Sequence, residues 1–143
     1  MIITELEAKS IAEAGATMPQ GKPVVMLNLL KFKVQAEYES GEGLPSCSGQ
    51  EAYMTRYVPA FARIAAAMAK DKAFRPVFLG AFLASLVAPA EETWDVAVMV
   101  EYDNFDVFRE IVESPEYKRE ADPHRKASLE NWRLLSLLQQ PLS

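Results

Sequence analysis

Residues 24–32 read VVMLNLLKF, apolar at nearly every position, with one amide, Asn28, at the centre. A short run that is apolar at both parities predicts a strand covered on both faces. Upstream, Thr4 and Glu7 have capping-box spacing, which predicts a short helix over 5–14 with Gly15 as its stop. A loop, MPQGKP, leads into the strand. Residues 39–50 have loop composition, and Ser48 with Glu51 forms a second capping pattern, so a helix should begin at 49. Its apolar positions, Tyr53, Met54, Tyr57, Val58, Phe61, Ile64, Ala65 and Met68, recur at helical spacing. Pro59 lies inside that run and predicts a kink, with the Thr55 carbonyl deprived of its usual donor.

The second half alternates differently. Residues 76–88, PVFLGAFLASLVA, predict a long strand in which Gly80 marks a bulge or a close approach. In WDVAVMVEY, at 94–102, Trp94, Val96, Val98, Val100 and Tyr102 share one parity and predict a third strand. Asn104 should cap a helix over 105–113. Ser114-Pro115 and Asp122-Pro123 each read as a cap followed by proline, which predicts a series of short helices ending over 123–131. Residues 132–140 form the last strand. The order is a helix followed by β-α-β-β-α-β, the ferredoxin-like α+β plan of an antiparallel sheet with helices on one face. The strands are apolar on both faces, so the uncovered face needs a cover, and a second copy of the chain supplies one by two-fold packing.

The 143 residues fit one domain. Such a chain buries roughly 68–70% of its unfolded surface and needs neither disulfide nor metal to fold. A net charge of −5 with scattered lysine and arginine argues against nucleic acid. The single cysteine, Cys47, allows no internal disulfide, and the acidic N-terminal stretch is unlike a signal peptide. No apolar run is long enough for a membrane span. A cytoplasmic protein is therefore expected.

Three segments carry a resemblance: PVVMLNLLKF, WDVAVMVEY and SPEYKREADPHRKASLENWRLL. Together they resemble the family called domain of unknown function 1330, in the dimeric α/β-barrel superfamily, across residues 23–138; residues 1–22 precede this core as a helix and loop. Asn28, Trp94, Asp95, Tyr102, the step from Ser114 to Tyr117, and His124 with Arg125 match the family pattern. The chain departs from it at KAFRP, where a Gly-Gly pair is usual, and at Tyr102-Asp103-Asn104. The resemblance implies a homodimeric barrel with a pocket in each subunit and brings no reaction with it.

The candidate site residues each have two readings. Asn28 either pairs internally or offers its amide to a ligand. His124, the single histidine, sits by the prediction at a helix start, where the macrodipole disfavours imidazolium; it either moves a proton or packs beside Tyr117 or Trp132. Arg125 either grips a carboxylate or bridges to Asp95 or Glu101. Tyr53, Tyr57, Trp94, Tyr102 and Tyr117 are candidate ligand contacts that serve equally as core. Cys47 reads as a surface thiol rather than a nucleophile. One histidine and one cysteine make no metal site, and no cofactor motif is present. Two functions remain open. One is a small-molecule-binding protein or cofactor-free oxygenase or isomerase, with His124, Arg125 and Asn28 acting on an apolar or aromatic metabolite. The other is a non-catalytic homodimeric sensor or stress-related module whose polar residues are structural.

Overall fold

A computed structural model describes residues 1–40 and 43–142. Gly41 and Glu42, within the loop expected over 39–50, lie outside the described residues, as does Ser143.

Four strands form one antiparallel sheet: β1 (Val24–Phe32), β2 (Phe74–Ala81), β3 (Val96–Tyr102) and β4 (Leu129–Leu137), in the order β2-β3-β1-β4. A preceding helix, α1, covers Ala8–Thr17. The β1–β2 crossover carries α2, built from Gly49–Glu51, a π-helical turn Ala52–Tyr57, and Val58–Ala67. After β3 come α3 (Phe105–Val112) and α4, a π-helical turn Tyr117–Ala121 running into Asp122–Ser128. This is the ferredoxin-like α+β arrangement that the alternation predicts.

β1 shows how one strand serves two environments. Val24, Met26, Asn28, Leu30 and Phe32 are buried beneath the helices, while the four residues between them are half-buried on the other face. Register extends that division across the sheet. On the helix side Asn28 stands between Val98 of β3 and Leu134 of β4. On the open side Leu27 stands between Met99 and Leu135, and Met99 faces Phe78 of β2.

The capping signals that hold are those with a side chain in reach. Ser48 Oγ accepts from the Glu51 amide at 3.0 Å, and Asn104 Oδ1 from the Val107 amide at 3.1 Å. The Thr4–Glu7 pattern fails: α1 begins at Ala8 with no side-chain cap and runs past Gly15. Gly15 lies inside α1 and does not end it; a Cβ there would meet only the movable Arg109 Nη1, at 2.8 Å.

Three other expectations change. β2 begins at Phe74 and stops at Ala81, well short of residue 88, because the chain then leaves the sheet as an arm. Leu83, Leu86 and Val87 on that arm are 93%, 93% and 98% exposed. Pro76 is tolerated because β2 is an edge strand and its register shifts between Pro76 and Phe78. Of the two readings offered for Gly80, the close approach holds, since its missing Cβ makes room for the Phe78 ring, and the bulge lies at Pro76–Phe78 instead. Ser114 caps as expected, its Oγ accepting from the Tyr117 amide at 3.1 Å with Pro115 opening the helix, but the run then continues unbroken through α4, since Asp122 has helical backbone and does not cap. That helix ends at Ser128, so β4 begins three residues earlier than expected.

Pro59 and Pro123 share a device. Each lies second in an α-helical segment that directly follows a π turn. In the first, the Val58 amide bonds the Tyr53 carbonyl, and in the second the Asp122 amide bonds the Tyr117 carbonyl. The wider turn accommodates the proline, which has no N–H to give, where the sequence reading expects a simple kink.

Candidate functional site

The two π turns bring three tyrosines together over the sheet. Tyr53 and Tyr57 lie one turn apart on α2, with ring centroids 4.9 Å apart. Tyr117 comes from the other π turn, and its hydroxyl meets that of Tyr57 at 2.9 Å. These rings, Tyr102 at the end of β3, and Asn28 line a cavity of about 280 Å³ between sheet and α2. Its remaining walls are apolar, including Met26, Val98 and Val100 from the sheet, Phe61 from α2, and Phe74 and Leu79 from the edge strand. An apolar concavity with a few inward polar groups is the usual form of a small-molecule site.

Asn28 is both paired and presented to the cavity. Its Oδ1 accepts a 3.0 Å hydrogen bond from the Trp132 indole Nε1. An indole N–H only donates, so this contact fixes the amide with oxygen toward Trp132 and Nδ2 away from it. The two readings offered by the sequence are therefore compatible: one end of the amide is structural and the other lines the cavity. Trp132, which the sequence reading treats only as a packing neighbour of His124, is the residue that orients Asn28. Its parity with Leu134, on the Asn28 side of β4, was the available signal.

The tyrosines stay protonated. Burial pushes the Tyr117 phenol up to about 12, with the neighbouring Arg125 charge partly offsetting that rise. Burial raises Tyr53 and Tyr102 still further, and Tyr57 is raised by burial and by Tyr117 beside it. Phenols in this state donate hydrogen bonds and do not act as bases near neutrality.

Arg125 lies behind the cavity wall. The residue is 1% exposed, and its Nε donates to Asp122 Oδ1 at 2.8 Å. One Nη1 bond reaches the Thr4 carbonyl at 2.5 Å, which ties the N-terminal segment to α4. The guanidinium also stacks on Trp132, 4.7 Å from the ring centroid. The expected salt bridge exists, but to Asp122 rather than to Asp95 or Glu101. Asp95 instead accepts from the Phe32 amide at 2.8 Å, where β1 shifts register with β4, and Glu101 pairs with Arg75. A partner three residues away on the same helix is reached more easily than one across the sheet.

His124 belongs to a different cluster and does not line the cavity. Its Nδ1 lies 2.7 Å from the Tyr38 hydroxyl, which also accepts from Arg56 Nη1 at 3.1 Å. His124 lies inside a continuous helix, so the expected influence of a helix start on its ring lapses. Trp94 also lies off the cavity, under Arg133 at 5.2 Å. β3 begins only at Val96, so the parity that would place Trp94 on the Tyr102 face, at the opposite end of the strand, does not extend to it. The structure thus gathers Asn28, Tyr53, Tyr57, Tyr102 and Tyr117 around one cavity, sets Arg125 behind it, and leaves His124 and Trp94 elsewhere. Among the described residues, no group of three or more His, Cys, Asp or Glu could hold a metal ion, and no helix is long and apolar enough to cross a membrane.

No family model matches the chain, and no curated protein does. Solved structures do. The RPA0582 protein of Rhodopseudomonas palustris, described as a protein of unknown function, is 28% identical, with a TM-score of 0.81 over 99% of both chains. A structure of the methylated RPA0582 protein gives 29% identity and a TM-score of 0.78, over 98% of this chain and 96% of that one. A Bacteroides fragilis protein described as dimeric, of unknown function and ferredoxin-like fold, is 21% identical, with a TM-score of 0.43 over 84% of this chain and 98% of that one. That last likeness is too loose to carry a dimeric state across.

Proposed function

We propose that this chain binds a small apolar or aromatic metabolite in the cavity beneath α2 and does so as a homodimer. The observation that carries the first part is the set of buried polar groups around an apolar space: Asn28 held by Trp132, with tyrosines arriving from two π turns. π turns are rare and recur at functional sites. What supports the second part is the open sheet face, where Leu27, Met99, Phe78 and Leu135 form a row without a helix over it. Phe78 and Leu135 are exposed, and so are the apolar residues of the 82–93 arm. A second copy packed on this face would bury them, as the resemblance to domain of unknown function 1330 also implies.

Binding is favoured over base catalysis. Among the described residues the cavity lining has donors but no carboxylate and no imidazole, and its phenols are held protonated. A cofactor-free oxygenase or isomerase would draw its proton acceptor from the ligand or solvent. The test is a thermal-shift and titration series with one- and two-ring aromatic compounds, beside a Val98→Phe variant that fills the cavity. A compound at a hundred times its Kd should add about 2.7 kcal/mol of apparent stability to the wild type. Val98→Phe should fold and lose that rise. Failure of every compound to shift the wild type removes the binding reading.

A further inference from the structure

Three buried polar groups on the cavity wall make no hydrogen bond with the described residues. The Tyr53 and Tyr102 hydroxyls have no partner among the described residues, nor has Asn28 Nδ2, whose sister oxygen is taken by Trp132. These residues are 8%, 5% and 9% exposed. Yet among the described residues no side-chain nitrogen or oxygen is both sealed from solvent-sized contact and unsatisfied. The three groups therefore meet the cavity, which all three residues line. Tyr57 and Tyr117, by contrast, satisfy each other.

Asn28 Nδ2 can only donate, and the phenols, held protonated, can donate as well. The wall therefore calls for an acceptor on the ligand. The charge of that acceptor follows from Arg125. Its guanidinium is the buried cation nearest the tyrosines, but it does not line the cavity and is engaged by Asp122, the Thr4 carbonyl and the Trp132 ring. A carboxylate in the cavity would be desolvated without a direct cationic partner, which is costly. The same burial that raises the Tyr53 and Tyr102 phenols acts against any other anion placed there.

Resting on the binding reading above, we infer that the site selects a neutral ligand whose carbonyl oxygen accepts from Asn28 Nδ2, with the Tyr53 and Tyr102 hydroxyls as further donors: an aromatic or alicyclic ketone, aldehyde or lactone rather than a hydrocarbon or a carboxylate. The carboxylate-gripping role open to Arg125 in the sequence is thereby set aside.

The experiment compares three probes of one skeleton by calorimetric titration: tetralin, 1-tetralone and tetralin-1-carboxylate. Wild type should bind 1-tetralone on the order of tenfold more tightly than tetralin, the worth of about one well-made hydrogen bond, and the carboxylate more weakly than the ketone. Tyr53→Phe and Tyr102→Phe remove hydroxyls that no protein group uses, so both variants should fold; at least one should lose part of the ketone's advantage and leave tetralin unchanged. Asn28→Leu alone would orphan the Trp132 indole, so it is paired with Trp132→Phe, which removes both partners together; this double variant should lose most of the preference. Equal binding of tetralin and 1-tetralone overturns the carbonyl inference and leaves the binding site standing. Tighter binding of the carboxylate overturns the neutrality of the ligand. If none of the three binds while Val98→Phe melts like the wild type in their presence, the site itself is refuted and this inference goes with it.

Discussion

The two faces of the sheet are built from alternate residues of the same strands, yet different physics governs them. On the helix side, β1 buries Asn28 and gives its oxygen a partner. Behind Trp132, Arg125 is buried with Asp122 and a backbone carbonyl. Polar groups there are costly unless matched, so that side is specified by satisfaction of hydrogen bonds. On the open side, Leu27, Met99 and Leu135 have simple apolar neighbours and unfinished burial. Area, rather than pairing, is what that side has to gain. Substitutions on the helix side should therefore read out as folding stability and ligand selection, and those on the open side as association.

The largest expected effect is on the helix side. Arg125→Ala would leave the partly buried Asp122 without its main partner, free the Thr4 carbonyl, and strip the cation from Trp132. Lys126 lies 3.6 Å from the other Asp122 oxygen and softens the loss without replacing the fork geometry. A cost of about 3–5 kcal/mol is expected by denaturant melting. A loss below about 1 kcal/mol would mean that the buried pair is no anchor and would remove the contrast from that side.

Leu27→Glu is the matching probe on the open side. Leu27 sits between Met99 and Leu135 in the middle of the proposed dimer face. A carboxylate there should raise the dimer dissociation constant on the order of a hundredfold, about 2.7 kcal/mol, while the protomer keeps its helical circular dichroism. Light scattering across protein concentrations reads this directly. A wild type that is monomeric at every concentration, or a variant that dimerises as well as wild type, would show that something other than a second copy covers the face.

Alkaline pH separates the faces without mutation. Tyr53, Tyr57, Tyr102 and Tyr117 all lie on the helix side and all have raised pKa values, chiefly from burial. A phenol that holds its proton more tightly folded than unfolded contributes stability that is whole below the ordinary value and is lost as pH rises through the folded one. For Tyr117 the loss runs from pH 10.0 to about 12, and for the others it extends higher. Stability should be unaffected by these four groups up to about pH 10 and then fall. Their phenolate absorbance should grow together with loss of tertiary circular dichroism, as one cooperative step. Early titration of these four phenols in a folded protein would mean that water reaches the cluster freely.

Much of this comparison was legible in the sequence, and the illegible parts share a cause. VVMLNLLKF reads correctly over Val24–Phe32 because its signal is local: short, apolar at both parities, bounded by proline and a loop. Ser48 and Asn104 read correctly because a cap needs only its own next three residues. The end of β2 did not read correctly, because FLASLV after Ala81 is as apolar as the strand before it. Only a missing pairing partner ends the strand. Nor did α4, where Asp122-Pro123 has the local form of a cap. Asp122 takes Arg125 instead, and the π turn before Pro123 lets the helix continue. At the site, the tyrosine spacing on α2 pointed to one face, but which rings meet across the fold depends on two π turns that only packing reveals. Asn28 was found by its oddness in an apolar run. Trp132, which orients it, looked like any other core aromatic.

The smallest effect tests where the site ends. His124 was a natural candidate for proton transfer as the single histidine, yet it faces Tyr38 and Arg56 rather than the cavity. The arrangement that uses all three groups has Arg56 donating to the Tyr38 oxygen and Tyr38 donating to His124 Nδ1. That network ties the loop after β1 to both crossover helices, so its loss should be felt as loosening of the loop. His124→Ala is expected to cost about 0.5–1.5 kcal/mol, the net worth of a part-buried hydrogen bond, and to leave the Kd for any cavity ligand unchanged. Tyr38→Phe should cost somewhat more, because it also removes the Arg56 bond, and the double variant little more than Tyr38→Phe alone, because both variants lose the contact between the two side chains. A ligand Kd that moves tenfold in His124→Ala with stability intact would join the two clusters into one site and restore the histidine to a working role. Additive stability losses in the double variant would show instead that Tyr38 and His124 act separately.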